Sequence, residues 1–285
     1  MKNKLFARKS PSEAVVHLIV CGIFAIFAFT YVYLIFWCFI SGLRTHKAIG
    51  ENAFGFGALQ LKNYVDIFKK LKVHDTNFAG MFLNSMYFAF GGPLLCILIT
   101  SMFAYVTSKY KFFGADAVYI VVLIVITLPV YGTQSATYKL LHDLKIINTR
   151  WMILTSLNGF SIYYMYFYAF YKGVSWSYAE AAQIDGANDW QIYFLVMLPQ
   201  ALTMVGALFL MLWITDWNNY ATALIYLREM PTLAVGIYQF KSRAIRDGIN
   251  LLYAAAFVSL LPPLILFMLC NNVLMSNVSL GGIKE

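Results

Sequence analysis

Six long apolar stretches dominate the chain, at roughly residues 14–40, 82–106, 116–138, 151–171, 196–219 and 251–274, each with few charges. A helix needs about 20 apolar residues to cross a bilayer. Backbone polar groups must be satisfied inside lipid, so helices are the expected spans. The pattern predicts an all-α integral membrane protein with six transmembrane helices. It divides into a tail over 1–13, a first span over 14–40, an outer segment over 41–81, a five-span core over 82–274 and a tail over 275–285. Pro93, Pro129, Pro199, Pro262 and Pro263 fall in or beside spans, where neighbouring groups can re-satisfy the freed carbonyls.

The polar intervals carry their own pattern. Leu61, Tyr64, Val65, Phe68 and Leu71 recur at helical spacing, predicting a short amphipathic helix with those five on its apolar face and lysines on the other. Residues 221–227 are apolar but too short to cross. The stretch from Met230 onward, with Lys241, Arg243 and Arg246, reads as an exterior loop. The segment 172–195 interrupts two apolar stretches with Glu180-Ala181-Ala182-Gln183-Ile184-Asp185-Gly186 and is closed by Val196-Met197-Leu198-Pro199. Ser177 and Glu180 have capping-box spacing, predicting a helix over 178–185 that Gly186 ends with positive φ. Ala181 and Ala182 give that helix a small face, open to close approach by another backbone.

Composition sharpens the class. Charged residues make up 12% of the chain, hydrophobic residues 61%, and the mean hydropathy is +0.67. A soluble domain carries about 25% charged residues. The net charge of +8 does not indicate nucleic acid, because the bases are scattered over loops. Cys21, Cys38, Cys96 and Cys270 lie in apolar stretches without metal-ligand spacing and read as small core residues. The first apolar run has 27 residues, beyond the roughly 7–15 of a signal-peptide core, so it is expected to remain as a span.

Orientation is less one-sided. With both termini inside, eight of the 21 lysines and arginines fall on inner segments, against the positive-inside tendency. Around the first span, Lys2, Lys4, Arg8 and Lys9 precede and Arg44 and Lys47 follow, which favours an inside N-terminus.

The Glu180–Gly186 segment followed by Leu198-Pro199 resembles the cytoplasmic loop of binding-protein-dependent ABC importer permeases, with Val196 where that family usually has Ile. The likeness extends to Asn84-Ser85, Leu128-Pro129 with Tyr131-Gly132, Trp213, Trp217-Asn218-Asn219-Tyr220 and the tail Gly281-Gly282-Ile283-Lys284-Glu285. It is nearest to the smaller permease subunit of maltose-type carbohydrate importers, which commonly ends in Gly rather than Glu285. The resemblance implies alternating access driven by a separate ATPase. It implies that Glu180, Ala181, Ala182, Asp185, Gly186, Leu198 and Pro199 form the ATPase-coupling site, and that Gly281, Gly282 and Lys284 reach the ATPase. The implied partners are a second permease subunit, an ATP-binding subunit dimer, an extracytoplasmic solute-binding protein and membrane lipid. The implied location is a bacterial or archaeal inner membrane with both termini cytoplasmic. No cofactor is expected in this chain. It contains no G-x-x-x-x-G-K-[ST] phosphate loop, so ATP and Mg belong to the partner.

Polar residues near the spans are pathway candidates: Asn84, Tyr131, Gln134, Trp213, Asp216, Trp217 and Asn218. An ionisable group such as Asp216 near the end of an apolar span is a functional candidate, and its place near the outer mouth, where water is available, equally suits a plain interfacial residue. The amides equally suit helix gluing, and the aromatics interfacial anchoring. The four histidines are isolated, and no nucleophile motif or intramembrane carboxylate pair occurs, so no catalytic site is expected. The rival reading is an ion-coupled secondary transporter, which would carry paired broken helices and intramembrane carboxylates.

Overall fold

The computed structural model describes residues 11–52, 54–128 and 132–278. In chain order its helices are α1 (Pro11–Leu43), α2 (His46–Glu51), α3 (Lys62–Lys70), α4 (Phe78–Lys109), α5 (Ala115–Thr127), α6 (Gln134–Asp143), α7 (Ile162–Gly173) and α8 (Ser177–Ile184). Then come α9 (Asp189–Gln200), α10 (Leu202–Asn218), α11 (Tyr220–Tyr226), α12 (Leu233–Asp247) and α13 (Ile249–Val278). Among the described residues the expected all-α fold carries one short pair of strands. Strands β1 (Lys72–Val73) and β2 (Thr76–Asn77) pair antiparallel around a tight turn, with His74 at φ 49°.

Among the described residues, three helices are long and apolar enough to cross a membrane: Glu13–Leu43, Phe78–Lys109 and Ile249–Cys270. They coincide with the first, second and last predicted spans. The middle three are broken, which corrects the reading of them as continuous helices. The 116–138 stretch is α5 followed by α6; α5 stops at Leu128, the residue before Pro129, where proline disfavours helical backbone. At about 1.5 Å per residue, the 13 residues of α5 fall short of a bilayer core. The 151–171 stretch begins as a 3₁₀ turn, Arg150–Ser156, and becomes α-helical only at Ile162. Between them Asn158 Oδ1 accepts from the Phe160 amide at 3.0 Å. The 196–219 stretch is bent by 76° between α9 and α10. Residues 233–247, read as loop, are the amphipathic helix α12.

The chain divides into two units, Met1–Ile67 with Phe240–Ser259, and Phe68–Gln239 with Leu260–Glu285. In the first, α1 exposes apolar side chains all round from Val15 to Phe36. Its C-terminal end is engaged: Trp37 meets Tyr253 at 4.8 Å and Phe39 meets Phe257 at 4.9 Å between ring centroids. Gly42 is required there, because a Cβ would lie 2.6 Å from Tyr64 Oη and 2.9 Å from Ala254 Cα. The last carbonyls of a helix lack intrahelical partners. Asn63 supplies them, donating to Gly42 O at 2.9 Å and to Arg44 O at 2.8 Å. That contact also corrects the predicted face of α3. Asn63 and Ile67 point inward, while Leu61 and Val65 are exposed, because the capping amide sets the helix rotation. Buried Arg44 in turn donates to the carbonyls of Ala48 and Asn52.

The second unit is organised on α4. Ser85, Ala89, Gly92, Cys96, Thr100 and Ala104 are buried along one face of it. Small residues at this spacing let neighbouring helices approach closely, and α7 and α10 pack against α4. Hydroxyls glue the contacts. Thr100 Oγ1 donates to Asn158 O at 2.9 Å, Thr107 Oγ1 pairs with Tyr164 Oη at 2.8 Å, and Ser101 Oγ pairs with Tyr171 Oη at 2.8 Å. Buried Ser85 Oγ accepts from the Leu233 amide at 2.7 Å, so α4 caps the start of α12. Ser85→Ala leaves that amide without its acceptor, a loss of about 1–3 kcal/mol. Thermal unfolding in detergent should show a lowered midpoint; an unchanged one would mean the cap is replaced.

Candidate functional site

The segment between α7 and α10 is held from below by α4. Lys109 Nζ donates to the carbonyl of Val174, and Tyr110 meets Trp176 edge-on at 5.6 Å. Tyr110 Oη donates to Asp189 Oδ1 at 2.9 Å. Burial pushes the Tyr110 hydroxyl above its ordinary pKa, so it keeps the proton that this bond uses.

Helix α8 forms where expected, but its start differs. The residue before it is Trp176, with Ser177 already inside the helix. Ser177 Oγ pairs with Ser175 Oγ at 2.7 Å and makes no capping box with Glu180. A capping box does form one helix later: Asn188 Oδ1 accepts from the Gln191 amide and Gln191 Oε1 from the Asn188 amide. Asn188 was not singled out from the sequence, although Asn-x-x-Gln is an N-terminal signature. The end of α8 is as expected. Gly186 has φ +85°, its amide bonds Gln183 O, and the Ala187 amide bonds Ala182 O at 2.9 Å. This double closure satisfies the last carbonyls of the helix.

The small face is divided rather than shared. Ala179 is fully buried, Ala182 packs against the same core, and Ala181 faces outward with Glu180 and Asp185. Ile184 is 86% exposed, Trp190 63% and Tyr178 54%. A polar loop thus presents three large apolar side chains that stand largely exposed among the described residues.

The link from this loop to the bundle is a widened helix. Residues Ile192–Met197 wind as a π-turn, with the Leu198 amide bonded to Tyr193 O. Pro199 has no amide and its ring crowds the carbonyl four residues earlier, which accounts for the widening and for the bend after Gln200. Leu198 packs on the core and Pro199 is exposed. Tyr193 Oη donates to Ser101 Oγ at 3.1 Å, joining α9 to α4 and, through Tyr171, to α7. Sequence reading missed this triad, because the two tyrosine hydroxyls lie 70 and 92 residues from Ser101 and carry no local signal. Beside the loop a groove of about 370 Å³ is lined by Met102, Tyr105, Val106, Asp189, Trp190 and Tyr193.

The pathway candidates scatter. Trp213 is 1% exposed and stacks on buried Trp217 at 5.0 Å, with interplanar angle 14°; both indoles serve packing within the chain. Asn84 Nδ2 donates to Pro231 O at 3.1 Å, so it ties a loop. Asn218 Nδ2 donates to Ile214 O of its own helix at 2.8 Å. Gln134 is exposed at the start of α6. Asp216 is half-buried in the last turn of α10, beside a recess that also contains Ser156. Tyr131 and the tail residues Gly281, Gly282 and Lys284 lie outside the described residues.

Residues 94–279 match the family described as binding-protein-dependent transport system inner membrane component. The chain belongs to that family. This permease is 25% identical over 267 residues to the arabinooligosaccharides transport system permease protein AraQ of Halalkalibacterium halodurans, covering 92% of this chain and 94% of that one. It is 29% identical over 215 residues to the diacetylchitobiose uptake system permease protein NgcG of Streptomyces coelicolor, covering 74% and 71%. Its fold matches a subunit of a bacterial ABC transporter involved in the import of the acidic polysaccharide alginate. The TM-score is 0.76 at 20% identity, over 93% of this chain and 99% of that one. The permease is a membrane-integral transport component of an ABC importer and not a catalytic chain.

Proposed function

We propose that this permease imports an oligosaccharide by alternating access, and that the 172–195 segment is its seat for a separate ATPase. The observation that carries the coupling assignment is the exposed surface of α8. Glu180, Ala181, Asp185 and Gly186 face outward beside uncovered Tyr178 and Ile184, as an interface awaiting a partner would. The substrate class rests on relatives named for arabinooligosaccharide, diacetylchitobiose and lactose transport. In this reading six crossings are made by α1, α4, the α5–α6 pair, Arg150–Gly173, the α9–α10 pair and α13, with both termini cytoplasmic.

The partners are a second permease, two ATP-binding subunits that hold ATP and Mg, and a solute-binding protein. The tail residues Gly281, Gly282 and Lys284 contact the ATPase, and Leu198-Pro199 with its π-turn passes motion from α8 to α10. The energy source is the differential affinity of ATP for two states of the transporter. Family membership removes the reason for the ion-coupled alternative.

Tagged permease purified gently from its native host should bring down an ATP-binding subunit and a second permease. Uptake of labelled oligosaccharide should stop on ATP depletion with ion gradients clamped. Uptake that survives depletion would overturn the reading.

A further inference from the structure

Asp216 occupies an uncomfortable place. It lies in the last turn of α10, where the helix dipole disfavours a negative charge. It is half-buried, and among the described residues no base or hydrogen-bond donor is recorded against its carboxylate. It opens onto a recess of about 100 Å³ lined also by Phe88, Thr155, Ser156, Thr222 and Thr232. Thr232 is 6% exposed, and its Oγ1 is buried without a hydrogen-bond partner. Gly92 of α4 lies close to both Asp216 and Ser156. A Cβ there would lie 3.1 Å from Asp216 Oδ2 and 3.0 Å from Ser156 Oγ. The carboxylate and the serine hydroxyl therefore both border a position of α4 that carries no side chain.

Buried polar groups are normally satisfied, and an unmet carboxylate is costly. A ligand that fits must donate to the carboxylate while exchanging hydrogen bonds with hydroxyls. The recess holds about three water volumes, enough for the hydroxyl edge of a sugar but not for a ring. A divalent cation is disfavoured. Asn219 is committed to Thr222 through both amide atoms, and among the described residues no group of three His, Cys, Asp or Glu converges. An anionic sugar is disfavoured by the same carboxylate, since no lysine or arginine lines the recess.

We propose that Asp216, with Ser156 and Thr232, forms a subsite for vicinal hydroxyls of a neutral oligosaccharide, and that it selects against uronates. This rests on the carbohydrate reading above and deepens it. The transporter of similar fold is described for acidic alginate, so the subsite predicts a different substrate charge here.

The test uses the whole importer, purified with its native partners and reconstituted in proteoliposomes with internal ATP. Uptake of maltotriose, arabinotriose, raffinose and trigalacturonate is compared. The neutral sugar best transported should show KM raised about tenfold in Asp216→Asn, the scale of a charged hydrogen bond lost. Asp216→Asn is isosteric and removes a buried charge, so misfolding is not its expected failure. In a second variant, Ser156→Cys, that sugar should slow alkylation of the new thiol by N-ethylmaleimide. Preference of the unaltered importer for trigalacturonate would overturn the subsite while leaving the oligosaccharide reading intact. So would an unchanged KM in Asp216→Asn together with no protection in Ser156→Cys. Transport of none of the four, with ATPase present, would overturn the oligosaccharide reading itself.

Discussion

Gly186→Asp is expected to insert and fold, yet to lose ATP-driven uptake by at least tenfold. Gly186 has φ +85°, and nothing lies within 4 Å of the position its Cβ would take. The folded chain thus has room for a side chain, and the backbone strain is about 1 kcal/mol, with aspartate among the residues that tolerate this region best. Such a cost does not unfold a bundle. What changes is the outer surface: a second carboxylate arrives beside Asp185, at the end of the helix whose Ala181 and Ile184 face outward. If a partner docks there, bulk and charge exclude it, and the ATPase is lost on purification of the variant. Gly186→Ala adds similar strain without charge and should retain more uptake. Normal uptake by Gly186→Asp would remove the coupling assignment.

Trp213→Ala should be the most destabilising single substitution in α10. The indole is 1% exposed, stacks on Trp217 and meets Phe90 at 5.6 Å. Emptying such a site costs about 3–5 kcal/mol. The thermal midpoint in detergent should fall well below that of the unaltered chain, and Trp213→Phe should recover part of it. An unchanged midpoint would mean the indole is dispensable packing, and its candidacy for the solute pathway would return.

Much of the fold was legible because its strongest signals are local. Long apolar runs identify α1, α4 and α13, since the requirement to satisfy backbone groups in lipid acts on the segment itself. Gly186 could be read because only glycine takes positive φ without strain. The breaks in the middle spans were less legible. Hydropathy sums over a window and is blind to the Asn158 turn, the stop before Pro129 and the widening ahead of Pro199, each of which remains apolar.

The sequence by itself determined a helical membrane permease with a polar loop of defined signature, because hydrophobicity, proline and glycine act within a few residues. Only the tertiary structure decided which faces turn inward. Asn63 rotates α3 to reach the carbonyls of α1. Ala179 and Ala182 are taken by the core while Ala181 is left outside. Trp213 is enclosed, and Asp216 is left beside Gly92 and Ser156 at the edge of a recess. Each of these depends on a partner far away in the chain, and side-chain burial is set by what arrives opposite rather than by the residue's own neighbours.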